Sequence, residues 1–239
     1  MTRAAPWHLG GHRLLLDRAG ALVWPERRLL AVADLHLEKG SAAALRGQLV
    51  PPLDTAATLA RLHTLVRIYR PATLVLLGDS FHDAGGHSRL RASDAALLAR
   101  ITSGLTLRWV LGNHDPAPQP DLPGSFHAEH IEHGLSFRHI PGPATAQTPE
   151  ISGHLHPKAQ IALRGTQVTR PCFVIDSCRV LMPAFGTYTG GLDLLAPPVA
   201  ALFPRGGRAL LLGEQSIYSF PFAGRRPRQP DLTGRAPAA

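Results

Sequence analysis

Three short apolar runs, each followed at once by polar side chains, constrain the fold of this chain more than any other feature. They span 29–33, 73–77 and 105–111. Short apolar runs of this kind predict buried strands. Helical patterns lie between them, at 53–69 and 92–102. The alternation of buried strands and helices predicts a parallel sheet built from βαβ units.

The polar residues that follow the three runs are predicted to share one edge of that sheet, since ligand sites in open parallel sheets form at the carboxyl ends of the strands. On an extended backbone, the side chains of Asp34 and His36 point to the same side. Each cluster alone also fits an ordinary strand-to-loop turn, so the prediction of a site depends on finding them together. The clusters are Asp34 with His36, then Asp79, then Asn113, His114 and Asp115.

After Pro116 the chain changes to short apolar segments separated by glycine and proline. These segments predict a second, more mixed sheet that packs against the first within one domain. The predicted strands are Phe126–His130, Leu135–His139, Ile151–Gly153, Ala159–Leu163, Phe173–Ile175, Val180–Pro183, Val199–Phe203 and Ala209–Leu212.

Histidines supply further polar positions in this second half. His154 and His156 flank Leu155, so that both imidazoles face one way on an extended backbone. His139 ends a predicted strand, although a lone histidine there is more often an ordinary polar residue than a ligand. Carboxylates, imidazoles and an amide oxygen without a thiolate favour Mn²⁺, Fe or Zn²⁺. Two such cations, about 3.5–4 Å apart, would clamp a phosphoryl group during in-line displacement.

Composition excludes some classes of protein and favours a polyanionic partner. The chain has no run of about 18 apolar residues and no apolar signal-peptide segment, so we expect a cytoplasmic protein with no membrane partner. It carries 25 basic and 17 acidic side chains, for a net charge of +8, which suits nucleic acid. Residues 224–239 are rich in Arg, Pro and Gly and are predicted to form a disordered tail behind a domain of residues 1–223.

The ordered set of motifs resembles that of the binuclear metallophosphoesterase superfamily, in which DxH, GD, GNHD, H and GHxH follow one another. In this chain the set reads DLH at 34–36, GD at 78–79, GNHD at 112–115, His139, and GHLH at 153–156. The resemblance covers about residues 12–215. It implies a four-layer α/β/β/α sandwich, in which two packed mixed sheets are flanked by helices.

By position, the resemblance also implies a binuclear metal site. Asp79 would bridge two divalent cations, either Mn²⁺ or, alternatively, Zn²⁺ or Fe²⁺, and a metal-bound hydroxide would attack the phosphorus. His114 would stabilise the transition state or protonate the leaving oxygen, and Asp115 would orient His114. The remaining implied ligands are Asp34, His36 and His156 for the first metal, and Asn113, His139 and His154 for the second.

Two residues near these motifs have alternative interpretations. His139 is preferred to His127, His130 and His133 because it ends an alternating apolar strand, like the corresponding histidine of the superfamily, whereas the others are expected on a solvated turn. His82, just after GDSF, either reaches the substrate or is an ordinary loop residue.

A finer pattern resembles the ligase-associated DNA damage response endonucleases, the PdeM family. Its segments here are WHLGGHRLLLDRAGALVWPERRLLAVADLHLEKG, GDSFHD, SGHLHPK and RPCF…VLMPAFGTYTGG. The resemblance implies Mn²⁺-dependent nicking of single-stranded DNA in repair, in association with a DNA ligase, a helicase and a nuclease. The chain's two lysines, Lys39 and Lys158, follow metal motifs, and we predict that they contact phosphate. The alternative is that they are solvated loop lysines.

The superfamily fold alone does not determine the substrate. Its members also hydrolyse cyclic nucleotides and nucleotide conjugates, so a phosphoesterase for small nucleotides is an alternative function. A non-catalytic scaffold that recruits repair proteins is another. The complete ligand set, together with His114, favours an enzyme over a scaffold.

Overall fold

The computed structural model describes residues 3–163 and 166–224. Two mixed β-sheets pack face to face in it, as predicted. The first sheet contains the strands β1 (Ala4–Leu9), β2 (His12–Asp17), β3 (Leu22–Trp24), β4 (Leu29–Ala33), β5 (Thr73–Leu77), β6 (Thr106–Val110) and β7 (Ser125–His127), in that spatial order. The pairs from β1 to β4 are antiparallel, and those from β4 to β7 are parallel.

The second sheet is also mixed. Its strands are β8 (Glu129–Glu132), β9 (Leu135–Arg138), β10 (Glu150–Ser152), β11 (Lys158–Leu163), β12 (Thr166–Ile175), β13 (Arg179–Leu181), β14 (Gly207–Leu212) and β15 (Ile217–Phe222). Their spatial order is β15-β14-β12-β13-β10-β9-β8, and β11 pairs with β12 beside this path. Strands β9, β10 and β13 run parallel to one another, so the carboxyl ends of β9 and β10 lie at the same edge.

Helices cover the outer faces of both sheets, which gives the predicted order of layers. They are α1 (Lys39–Leu45), α2 (Asp54–Tyr69), α3 (Gly86–Arg89), α4 (Ala92–Thr102) and α5 (Pro197–Leu202). Leu59 of α2 and Ile101 of α4 pack with apolar residues of the first sheet. On the second sheet, the outer layer is thin, because it consists of α5 and β11, whose Val199 and Ala159 pack with Val174 of β12.

The residues of β4 are buried on both faces. Leu29 and Ala31 belong to the apolar core between the two sheets, together with Phe173 of β12. Leu30 and Val32 belong to the core under α2 and α4. This burial explains the continuous apolar run in the sequence, since a parallel strand covered on both faces has no polar side.

The structure corrects several predicted elements. Residues 199–203, predicted as a strand, lie mostly in α5. A short apolar run does not by itself distinguish a strand from a helix, and Pro197 occupies the first helical position, where its fixed φ suits a helix start. The strands β1 and β15 were not predicted. Both are edge strands, and each contains a proline, Pro6 or Pro221, which weakens the strand pattern.

The connection between β4 and α2 contains the seven-residue helix α1. Leu53 is the N-cap residue of α2, so the side chain of Asp54 does not serve as the cap. The Asp54 Oδ2 atom instead accepts a hydrogen bond from the backbone N–H of Gly40 at 3.1 Å. Asp54 therefore holds α1 against α2.

The predicted tail falls almost entirely outside the described part of the chain, which ends at residue 224. Within residues 3–163 and 166–224, no helix has both the length and the apolar character needed to span a membrane.

Candidate metal centre

Loops from both sheets meet at one end of the sandwich and bring the predicted ligands together in two groups. Within each group, the atoms that can bind a metal lie within 4.8 Å of one another. Both groups draw on both sheets, because the loops after β4, β5 and β6 come from the first sheet and those after β9 and β10 from the second. The first group is Asp34, His36 and His156, and the second is Asp79, His139 and His154.

The spacing of the first group fits a divalent cation. The His156 Nε2 atom lies 3.3 Å from His36 Nε2 and 3.3 Å from Asp34 Oδ1. Metal bonds of about 2.0–2.2 Å at tetrahedral or octahedral angles separate neighbouring ligand atoms by about 2.8–3.6 Å. The observed distances fall in that interval, and the donors are the nitrogen and oxygen atoms that Mn²⁺, Fe²⁺ and Zn²⁺ accept.

The second group has the same spacing and a further oxygen donor. The His139 Nε2 atom lies 3.1 Å from His154 Nδ1 and 3.3 Å from Asp79 Oδ2. The side-chain oxygen of Asn113 lies 2.9 Å from the same His139 nitrogen. The residues present therefore fit a second cation with two imidazoles, a carboxylate and an amide oxygen.

Asp79 lies between the two groups. Its Oδ2 atom is 3.3 Å from His139 Nε2 in the second group and 3.8 Å from His36 Nε2 in the first. One carboxylate therefore lies close to nitrogen atoms of both groups, which fits the bridging position that the resemblance implies for Asp79.

The backbone conformation at the ligands differs from the extended alternation expected from the sequence. Among the described residues, nine that are not glycine have a positive φ, and five of them are predicted ligands. Such a conformation costs about 1–3 kcal/mol per residue and is characteristic of functional sites. The side chains converge because the loops turn sharply after the strands end. The five ligands are Asp34 (53°), His36 (44°), Asp79 (44°), His154 (71°) and His156 (45°).

Two motif glycines allow these loops to approach one another closely. A Cβ atom at Gly78 would lie 2.2 Å from Nδ1 of His139, and one at Gly112 would lie 2.2 Å from the backbone nitrogen of Asp79. Neither position has room for a side chain. The glycines of the GD and GNHD motifs are therefore required by the packing of the ligand loops.

Burial and neighbouring charges set the protonation of the ligands. Burial, followed by the charge of His156, lowers the pKa of His36 to about 3, so this imidazole is neutral and free to bind a cation. Burial raises the pKa of Asp79, but hydrogen bonding to His139 and further interactions outweigh it and bring the value to about 2. Burial lowers the pKa of His139, while Asp79 and Asp34 raise it by a larger amount. A proton and a metal ion therefore compete for His139.

The family of the chain follows from a comparison with known proteins. Residues 27–164, more than half of the chain, match the family profile of the calcineurin-like phosphoesterases. The chain belongs to this family. It is a metallophosphoesterase, a hydrolase of phosphate esters that depends on divalent cations.

Two of the solved structures that match the chain are a nuclease and a phosphoesterase. The Pseudomonas putida nuclease MPE is 29% identical to this phosphoesterase, with a TM-score of 0.68 over 91% of this chain and 100% of the nuclease. This similarity is consistent with the PdeM-like family that the sequence resembles. The E. coli phosphoesterase Yfce is 13% identical, with a TM-score of 0.39 over 80% of this chain and 97% of its own. No match was found among curated proteins.

His114 of the phosphoesterase lies beside the two ligand groups with one ring nitrogen already engaged. Its Nδ1 atom donates a hydrogen bond to the backbone carbonyl of His82 at 2.7 Å. The Nε2 atom therefore faces the centre, 3.9 Å from Asp79 Oδ2. The rings of His82 and His114 are stacked with centroids 5.2 Å apart. His114 is thus placed to exchange a proton through Nε2, and His82 fixes its orientation.

The contacts of Asp115 differ from those expected for a residue that orients His114. Its carboxylate accepts hydrogen bonds from the backbone N–H groups of Ser80 (2.8 Å), Phe81 (3.1 Å) and Gly112 (3.0 Å). Burial raises its pKa to about 6. The expectation that Asp115 orients His114 is therefore corrected, because the carbonyl of His82 does so and Asp115 joins the loops after β5 and β6.

Basic side chains of the phosphoesterase gather on the side of the centre where His82 lies. The Arg46 Nη2 atom lies 3.3 Å from His82 Nε2. Burial lowers the pKa of Lys39, and the charges of Arg46 and Lys158 lower it further, although Asp54 opposes them. The Lys158 Nζ atom donates a 3.4 Å hydrogen bond to the carbonyl of Thr189. We call Lys39, Arg46 and Lys158 the basic flank of the centre.

Arg46 was missed in the sequence. It follows an alanine-rich segment, and 36 residues separate it along the chain from His82, which it contacts. The signal available was a single basic residue in an otherwise uncharged segment that follows the DLH motif.

The three histidines weighed against His139 lie away from the ligand groups. His127 hydrogen-bonds Ser125 Oγ at 2.7 Å, and the His130 Nε2 atom lies 3.5 Å from the Glu132 carboxylate. His133 Nδ1 lies 2.8 Å from Arg27 Nη2. The expectation of a solvated turn is wrong for His127 and His130, which are half-buried on β7 and β8.

Proposed function

We propose that the protein is a Mn²⁺-dependent endonuclease that hydrolyses phosphodiester bonds of single-stranded DNA. The observation that carries the proposal is the arrangement of two ligand groups around Asp79, with Nε2 of His114 facing them. Two cations held by these groups would act on the attacking and the leaving oxygen of an in-line displacement. We propose that seven residues bind the two cations, namely Asp34, His36, Asp79, Asn113, His139, His154 and His156.

The side chains have separate parts in this reaction. Divalent cations bound in the two groups supply Lewis-acid activation of the phosphoryl group and of the attacking water. His114, protonated at Nε2, gives its proton to the leaving oxygen as the bond between that oxygen and phosphorus breaks. The hydrogen bond from Nδ1 to the carbonyl of His82 holds the ring in the required orientation. The basic flank binds the phosphates of the strand.

The choice of Mn²⁺ rests on the donor set. Carboxylates, imidazoles and an amide oxygen suit Mn²⁺, which accepts a larger share of oxygen ligands than the softer metals do. The same set also accepts Zn²⁺ and Fe²⁺, so the three metals are to be compared directly in the assay below.

The choice of DNA rests on charge and on similarity. The net charge of +8 and the basic flank favour a polyanionic strand. The similarity to the P. putida nuclease supports nucleic acid as the substrate class. The preference for a single strand, the role in repair and the association with a ligase, a helicase and a nuclease rest on the resemblance to the ligase-associated endonucleases.

The test is Mn²⁺-dependent cleavage of circular single-stranded DNA by the wild type, Asp79→Ala and His114→Ala. We expect the wild type to linearise the circle and both variants to lose at least about 100-fold in rate, since general-acid catalysis alone contributes about 10²–10⁴. The matched controls are Asp121→Ala and His8→Ala, at exposed positions.

Other results would replace the proposal. Hydrolysis of bis-p-nitrophenyl phosphate without cleavage of DNA would favour a phosphoesterase for small nucleotides. An absence of hydrolysis of either substrate with Mn²⁺, Zn²⁺ and Fe²⁺ would favour a non-catalytic scaffold.

A further inference from the structure

A groove opens beside the second ligand group, on a part of the surface to which the proposed reaction gives no role. Its volume is about 340 Å³, at the low end of the range of about 300–1,000 Å³ for small-molecule pockets. Asn113 and His139, both proposed ligands, form its inner end. The groove therefore adjoins the second ligand group, so a group bonded to the reacting phosphate would lie beside it.

The walls of the groove are mainly apolar. Leu111, Ala128 and Ile140 line it, and the Ile140 side chain is exposed although it is apolar. An exposed apolar side chain beside a reaction centre offers a surface for a flat, weakly polar group. A nucleobase has such a face, whereas a phosphate would find no partner there.

The charged residues at the groove neutralise each other. The Arg138 Nη2 atom donates to the Glu129 carboxylate at 2.6 Å, and Arg138 Nε lies 3.5 Å from the buried Glu150 carboxylate. A guanidinium paired in this way has little net attraction left for phosphate. Its remaining donors and the Glu129 oxygens can still hydrogen-bond the edge of a base, in a geometry that the ion pair holds fixed.

The position of His114 indicates which part of the substrate the groove receives. His114, which protonates the leaving oxygen, contacts His82 and through it the basic flank. The groove begins instead at His139, whose Nε2 atom contacts Asn113 and the second ligand group. The nucleoside that stays bonded to phosphorus after the leaving oxygen departs is the part that lies away from His114.

We propose that this groove is a nucleoside subsite, which binds the base and sugar on the retained side of the scissile phosphate. The subsite rests on the proposed phosphodiesterase function and adds a recognition element to it. It predicts that the enzyme prefers a diester carrying a nucleoside to one of equal reactivity without it.

The test compares three chromogenic diesters that share p-nitrophenolate as the leaving group, so that only the retained group differs. They are methyl p-nitrophenyl phosphate, thymidine 5′-p-nitrophenyl phosphate and thymidine 3′-p-nitrophenyl phosphate. We expect kcat/KM of the wild type with Mn²⁺ to be about tenfold higher for one of the nucleoside esters than for the methyl ester, which corresponds to about 1.4 kcal/mol.

Ala128→Trp fills the groove at an exposed position. We expect it to lower the ratio of kcat/KM for the preferred nucleoside ester to that for the methyl ester about tenfold. Ile140→Thr, which keeps the β-branched shape, should lower that ratio about threefold. Ala96→Trp, at an exposed site on α4, is the matched control and should leave both values unchanged.

A wild type that hydrolyses all three esters equally well would overturn the subsite and leave the phosphodiesterase function in place. So would an Ala128→Trp variant that keeps the wild-type ratio, whether or not both rates fall together. A wild type that hydrolyses none of the esters would overturn the proposed function and the subsite with it.

Discussion

The two sides of the metal centre differ in how their charges are used. On the basic flank, Arg46 contacts His82, and Lys39 lies close enough to Arg46 and Lys158 for their charges to lower its pKa. On the groove side, the Arg138 Nη2 atom donates a 2.6 Å hydrogen bond to the Glu129 carboxylate, and apolar residues line the same groove. The cations of the basic flank repel one another, whereas the cation of the groove side is already neutralised.

The two sides are therefore expected to act differently: the basic flank attracts the substrate, and the groove side recognises a part of it. A group of like charges gathers phosphate from solution and responds to salt, because binding releases counterions. A neutralised pair among apolar walls contributes little to long-range attraction and acts only on a group that is already in contact. The predictions below are in decreasing order of the expected change in free energy: the first concerns the metal centre between the two sides, and the other two test this division.

The metal ions should have the largest effect on stability, because they join ligands from both sheets. With Mn²⁺ at about 100 times its dissociation constant, linkage predicts about 2.7 kcal/mol of added stability. For a domain of this size, that corresponds to an increase in Tm of about 5–10 °C, which calorimetry with and without a chelator would measure. Asp34→Ala should gain much less from Mn²⁺. An equal gain in Asp34→Ala would place the stabilising cation elsewhere.

Removal of a cation from the basic flank should weaken DNA cleavage by an intermediate amount. Lys39→Ala and Arg46→Ala should each lower kcat/KM on a single-stranded oligonucleotide at low salt by about tenfold, or about 1.4 kcal/mol. The slope of log kcat/KM against log salt should become shallower by about 0.7 for each phosphate that the variant no longer neutralises. Arg100→Ala, at an exposed site on α4, should change neither value. An unchanged slope in Lys39→Ala would identify it as a solvated loop lysine.

Arg138→Gln on the groove side should have the smallest effect. Because Glu129 already neutralises this guanidinium, we expect a fall in kcat/KM on the same oligonucleotide of no more than about threefold, below about 0.7 kcal/mol. The salt slope should stay at the wild-type value. A slope reduced as much as in Lys39→Ala would show that the groove side also binds phosphate, and the two sides would then not differ.

The seven proposed ligands could be named from the sequence because they match the ordered motifs of the superfamily and because most of them follow predicted strands. Parallel strands bring their carboxyl ends to one edge, so the apolar run before Asp34 or Asp79 predicts where that carboxylate lies. The expected extended backbone was wrong all the same, since the ligands lie on turns with positive φ. The order of the residues was enough to predict which side chains come together, but not the backbone conformation that brings them together.

Contacts between segments that are distant in the chain could not be predicted from the sequence. The contact between Arg46 and His82 joins α1 to the loop after β5, and the groove joins segment 111–113 to residues 128–140. Neither contact leaves a periodic pattern or a motif. The role of Asp115 was missed for the same reason, because its carboxylate serves backbone groups of another loop.

Each ligand group takes members from both sheets, and this has a consequence for how the enzyme can change its rate. The loops stand on the ends of strands, so the distance between the ligand residues of one sheet and those of the other follows the distance between the sheets. That distance is set by the side chains packed between them, among them Phe173 and Leu29. The volume of the interior can thus affect the reaction, and substitutions that never meet the substrate can shift turnover by moving the ligand residues of the two sheets apart or together.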